Sequence, residues 1–125
     1  MNPYVVVALG SALGGAFRHG VNVGMARLLG TAWPWGTFVV NVSGSFAIGA
    51  IVGDFALRGY ATQTWLLFLT TGILGGYTTF SAFSLDIVLL YERGQLQRAM
   101  VYAVASVVVS LVGLVLGLTL IRRVL

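Results

Sequence analysis

The stretch Gly75-Gly76-Tyr77-Thr78-Thr79-Phe80-Ser81-Ala82-Phe83-Ser84 is polar and glycine-containing, yet it stands inside the third of four strongly apolar stretches. Backbone released from a helix at membrane depth is tolerated only where protein or a watery cavity covers it. A break inside a span is therefore the first place to look for function.

The surroundings make the membrane assignment close to forced. Of 125 residues, 58% are hydrophobic and 8% charged, and the mean hydropathy is +0.97. A soluble domain of this length could not hide so much apolar surface. A bilayer-spanning helix needs roughly 20 apolar residues. The pattern predicts helices over about 3–28, 36–57, 62–91 and 95–122, the third interrupted at about 75–79. The expectation is an all-α integral membrane protein, with one four-helix transmembrane domain over residues 1–125. The first charge is Arg18, so the amino-terminal stretch lacks a basic leader and reads as a retained helix. Trp33-Pro34-Trp35-Gly36, Arg58-Gly59-Tyr60 and Glu92-Arg93-Gly94 mark short turns, so consecutive helices run antiparallel.

A net charge of +4 and an isoelectric point near 10.1 would suggest nucleic acid in a polar protein. Here the arginines are scattered singly or in one pair, and no nucleic-acid partner is expected. Without cysteine there is no disulfide or thiolate chemistry, and with His19 as the single histidine no histidine-ligated metal centre is expected. Nothing resembles a phosphate-binding loop, and nothing points to an enzyme.

Charge also bears on orientation. One side of the expected bundle holds Arg58, Arg122 and Arg123, and the other holds Arg27, Arg93 and Arg98, with Arg18 adding to it. The positive-inside rule orients a chain by its excess of basic residues on one side, and here that excess is close to nil. Two readings stand. Either subtler cues fix the orientation, or the chain inserts both ways and pairs as an antiparallel homodimer, the subunit-level form of an inverted repeat.

Small residues four apart recur as Gly10 and Gly14, Gly20 and Gly24, then Ser45, Gly49 and Gly53, and finally Gly113 and Gly117. This spacing lets helix backbones approach closely. Thr37, Asn41 and Ser45 share one face of the second helix, and Tyr102, Ser106 and Ser110 share one face of the fourth. Each stripe reads either as interhelical hydrogen bonding or as the neutral donor lining of an anion path. Asn41 is the richest single donor, since its amide carries two N–H groups.

Beyond the break, Phe80 and Phe83 lie three apart on one helical face, with Ser81 and Ser84 beside them. A phenyl ring has a positive edge, which can meet an anion, although core or lipid-facing packing is the commoner use of such a pair. A restarted helix points its free N–H groups into the bundle. The carbonyls around Gly75 to Thr78 offer hard oxygen ligands for a small cation.

Taken together, the break sequence and Gly36-Thr37-Phe38-Val39-Val40-Asn41 resemble the Fluc (CrcB) family of bacterial fluoride channels. Gly14-Gly15-Ala16-Phe17-Arg18 and the Tyr102, Ser106, Ser110 stripe extend the likeness over essentially the whole chain. The resemblance implies a fluoride channel of the bacterial inner membrane, an antiparallel dual-topology homodimer with two pores and a central structural sodium ion. On matching positions, Phe80 and Phe83 would supply ring edges and Asn41 would donate to fluoride. Ser81, Ser84, Thr37, Tyr102, Ser106 and Ser110 would form a polar track. Gly75 and Thr78 would hold sodium through their carbonyls, and Arg18 would stand at the aqueous vestibule. Asp86 stands where the family pattern has glutamate, and Ala82 where a hydroxyl is common.

Asp54 and Asp86 are the carboxylates near the spans and read as arginine partners at helix ends. A small multidrug-type proton-coupled antiporter shares the size and topology, but it needs a carboxylate in the first helix, and residues 3–28 contain none. A non-transporting assembly subunit of a membrane complex would leave the stripes and the break without a purpose.

Overall fold

The computed structural model describes residues 2–58 and 63–124. The Gly59-Tyr60 part of the expected second turn lies outside the described residues. Every regular element among the described residues is helical. α1 (Pro3–Leu29) begins on an Asn2 cap, whose side chain accepts the Tyr4 N–H at 2.7 Å, with Pro3 in the first helical position. α2 spans Trp35–Arg58. The third apolar stretch is composite. α3 (Gln63–Leu67) runs into a π-helix (Phe68–Leu74), then α4 (Gly75–Tyr77), and after Thr78 and Thr79 comes α5 (Phe80–Glu92). α6 (Leu96–Val124) closes the chain.

Among the described residues, three stretches are long and apolar enough to cross a membrane: Trp35–Phe55, Gln63–Glu92 and Leu96–Val124. α1 has spanning length, at 27 residues, but Arg18, His19, Arg27 and its glycines leave it outside that set. The expectation of a fourth span rests on this helix.

Close approach of backbones sets the packing. α1 lies on the π-helix and α4. A methyl group built at Gly10 would stand 2.8 Å from the Gly72 Cα, and one at Gly14 would run into the Ile73 carbonyl. The Ser11 hydroxyl donates to the Gly72 carbonyl at 3.3 Å across the same seam. α2 lies along α6, where Gly49 meets the Leu114 carbonyl and Gly117 meets that of Phe46. These four glycines use the small-residue spacing as expected. Gly20 and Gly24 share it but face open space.

The irregular backbone is narrower than the expected 75–79, because Gly75, Gly76 and Tyr77 remain helical and only Thr78 and Thr79 are extended. Upstream of it, the helix is instead widened into a π-helix. There the Gly75 N–H reaches the Thr70 carbonyl, and the Thr70 hydroxyl donates back to the Leu66 carbonyl at 2.7 Å. At the far end, Phe83, Leu90, Ala99 and Tyr102 form a buried cluster covered by Trp33 and Phe38.

Candidate functional site

The break is made by two side chains. Thr78 and Thr79 are extended, with φ/ψ of −84/160 and −154/124 degrees. Asn41, projecting from α2, pairs with the Thr79 backbone in both directions. Its Nδ2 donates to the Thr79 carbonyl at 3.1 Å, and its Oδ1 accepts the Thr79 N–H at 2.9 Å. Thr79 in turn caps α5, its Oγ1 accepting the Ala82 N–H at 3.1 Å. A threonine directly before an apolar helical run is a capping signal in the sequence, so the capping role of Thr79, not among the residues singled out above, is legible there.

The same bonds shape the carbonyls upstream. In a continuous helix the Thr79 N–H would close onto the Gly75 carbonyl and the Ala82 N–H onto that of Thr78. Here the first goes to Asn41 and the second to the Thr79 hydroxyl. The Gly75 and Thr78 carbonyls are thus deprived of their helical donors, and both residues line one cavity. A neutral set of carbonyl oxygens is ligand chemistry suited to a hard cation such as sodium.

That cavity, about 350 Å³, is lined by Asn41, Thr78, Phe80, Phe83, Ser106 and Ser110 among others. It brings together residues from α2, α4, α5 and α6 and the two-residue break. Ser106 is 4% exposed, and the hydroxyl oxygens of Ser106 and Ser110 are buried without a hydrogen-bond partner. Buried hydroxyls are normally satisfied, so these two orphaned groups point to a polar occupant.

The remaining candidates divide by what their protons already do. The Ser84 hydroxyl donates to the Phe80 carbonyl at 3.0 Å within its own helix. The Tyr102 hydroxyl donates to Asp86 Oδ2 at 3.0 Å, so Asp86 finds a phenol where sequence reading expected an arginine. One Asn41 N–H is engaged by Thr79, leaving the other free. Ser81 is exposed beside the Thr79 hydroxyl, 3.3 Å away.

Phe80 and Phe83 share a face, with centroids 5.8 Å apart, but differ in setting. Phe83 is 8% exposed, whereas Phe80 is 78% exposed on the surface of the single chain. Phe83 also contacts Tyr102 at 5.3 Å, and Tyr102 meets the edge of Trp33 at 5.6 Å.

A second cavity, about 330 Å³, opens at the α1–α2 turn and is lined by Asn22, Trp33, Thr37, Ala82, Asp86 and Arg93 among others. Thr37 lies one helical turn before Asn41 on α2, but no residue lines both cavities, and Tyr102 lines neither. Arg18 is not among the residues lining the second cavity. It follows Gly14 by one turn on the inward face of α1, half-buried, its Nε without a partner.

Long apolar helices joined by short turns, with polar side chains gathered around an interrupted span, define a multi-pass α-helical membrane protein. Residues 5–118 match the family described as CrcB-like protein, Camphor Resistance, and the chain belongs to that family. Its place is the bacterial inner membrane. The chain is 56% identical over 120 residues to fluoride-specific ion channel FluC 2 of Nitrobacter hamburgensis, covering 96% of this chain and 97% of that protein. It is 54% identical over 121 residues to fluoride-specific ion channel FluC of Rhodopseudomonas palustris, covering 97% of this chain and 98% of the relative. The FluC of Granulibacter bethesdensis is 54% identical over 122 residues, covering 98% of this chain and 96% of its own.

Proposed function

We propose that this chain is a fluoride-selective channel, not an enzyme, through which cytoplasmic fluoride leaves passively down its electrochemical gradient. The observation that carries this reading is the pair of buried, unpartnered hydroxyls, Ser106 and Ser110, in the cavity shared with Asn41, Phe80 and Phe83. The names of the full-length relatives support the choice of ion.

Fluoride is small and strongly hydrated, so a path that admits it must replace water with close donors. The two serine hydroxyls and the free Asn41 N–H are such donors. The edges of Phe80 and Phe83 offer positive potential without a fixed charge that would trap the ion. Thr37, Ser81, Ser84 and Tyr102 complete the polar track, Ser84 and Tyr102 mainly as supports, because their protons are engaged within the chain.

The working unit in this reading is an antiparallel dual-topology homodimer of four-span subunits with two pores. The near-balance of arginines between the two ends and the 78% exposure of Phe80 both support a second copy of the chain. The Gly75 and Thr78 carbonyls would hold a structural sodium ion between subunits, satisfying backbone oxygen atoms that lack helical donors and tying the breaks together. Arg18 stands near the vestibule as a fixed positive charge.

Passive efflux suits fluoride. Its weak conjugate acid enters cells as neutral HF and ionises inside, and an inside-negative potential then drives the anion out. The test is efflux from liposomes holding only the purified chain. Rapid fluoride release with chloride retained is expected; release of neither ion, or of both alike, would refute the proposal.

A further inference from the structure

The cavity at the α1–α2 turn contains an electrostatic problem. Of the residues that line it, Asp86 and Arg93 alone carry charge. Asp86 stands towards its inner end, one helical turn from Ala82, and its Oδ2 accepts the Tyr102 hydroxyl at 3.0 Å. A carboxylate there opposes the entry of an anion.

Arg93 lies seven residues further along α5 and therefore on the same face, about 10 Å along the axis towards the rim. Its position is fixed by the backbone. Gly94 takes φ of 77 degrees, its N–H bonds to the Tyr91 carbonyl at 3.0 Å, and the Gln95 N–H bonds to the Leu90 carbonyl at 2.9 Å. These paired bonds form a Schellman motif, with Arg93 as the capping residue of α5. The negative end of the helix favours a cation at that point. Among the described residues no ion pair engages the guanidinium, which leaves its field available to the cavity.

We propose that Arg93 is the anion-collecting residue of this mouth. It raises the local anion concentration at the rim and offsets the field of Asp86 at the inner end. The inference rests on the fluoride-channel reading and extends it to a residue outside the polar track.

The test uses the full-length chain in liposomes and trace fluoride efflux in potassium gluconate. At an ionic strength of about 0.01 M, Arg93→Gln should slow efflux about threefold and Arg93→Glu about tenfold. At about 1 M, where the screening length falls to about 3 Å, all three should converge. Arg93→Lys, which keeps the charge, should retain the wild-type rate. An Arg93→Gln rate equal to wild type at low salt would overturn the proposal. So would a deficit that persists at high salt, since packing is not screened. Absence of fluoride efflux from the wild-type chain would overturn the channel reading itself, and the collecting role with it.

Discussion

At the scale of single residues, the decisive distinction is between hydroxyls whose protons are free and those whose protons are engaged. Ser106 and Ser110 are buried without partners, while Ser84 donates into its own helix. Ser106→Ala should therefore slow fluoride efflux about tenfold, the equivalent of one lost hydrogen bond to a charged group. Ser84→Ala should stay within about twofold, since the bond it loses is a helix-internal one of small net worth. Equal losses at the two positions, measured by a fluoride electrode, would refute this division. The stripe spacing made Ser106 visible in the sequence, and a place beside Phe80 and Phe83 did the same for Ser84. Spacing could not separate them, because the partner of a hydroxyl depends on side chains brought in by other helices or on the turn beneath it.

At the scale of elements, the interruption is held by a side chain from a different helix. Asn41→Ala would remove both bonds to the Thr79 backbone and leave a part-buried peptide unsatisfied, at a cost of about 1–3 kcal/mol per group. The expected outcome is lost efflux together with a lower thermal midpoint in detergent; unchanged values of both would contradict the clamp. Gly14→Val should prevent the approach of α1 to the π-helix, whereas Gly20→Val should be tolerated, because Gly20 faces open space. Size-exclusion profiles of the two variants check this, and indistinguishable profiles would contradict the packing. Identical spacing announced both glycines, and only the rotation of α1 about its axis tells them apart. The polar, glycine-containing run points to an interruption over 75–79, whereas only Thr78 and Thr79 leave the helical ladder, because the Asn41 side chain that holds them comes from another helix. The π-helix over Phe68–Leu74 was not legible, because its apolar spacing does not distinguish an α from a π ladder, and the widening shows only in the backbone bonds.

At the scale of the whole molecule, apolar composition and length made the helical membrane class legible, and the match over residues 5–118 gives the family. The proposed pairing of subunits has a weaker signature, a near-equal count of arginines at the two ends. If the chain inserts both ways, a variant with two added lysines at the Arg93 end and another with two at the Arg122 end should each be inactive alone. Expressed together they should restore fluoride efflux. Full efflux from either oriented variant alone would contradict the antiparallel pair. Passive, selective conduction by this chain without a partner protein is read most directly as the current across a planar bilayer with fluoride and chloride gradients set in opposite directions. The current should reverse at the fluoride equilibrium potential and should not move with an imposed pH gradient. A reversal at the chloride potential, a reversal that follows the proton gradient, or no current at all would contradict passive, selective conduction.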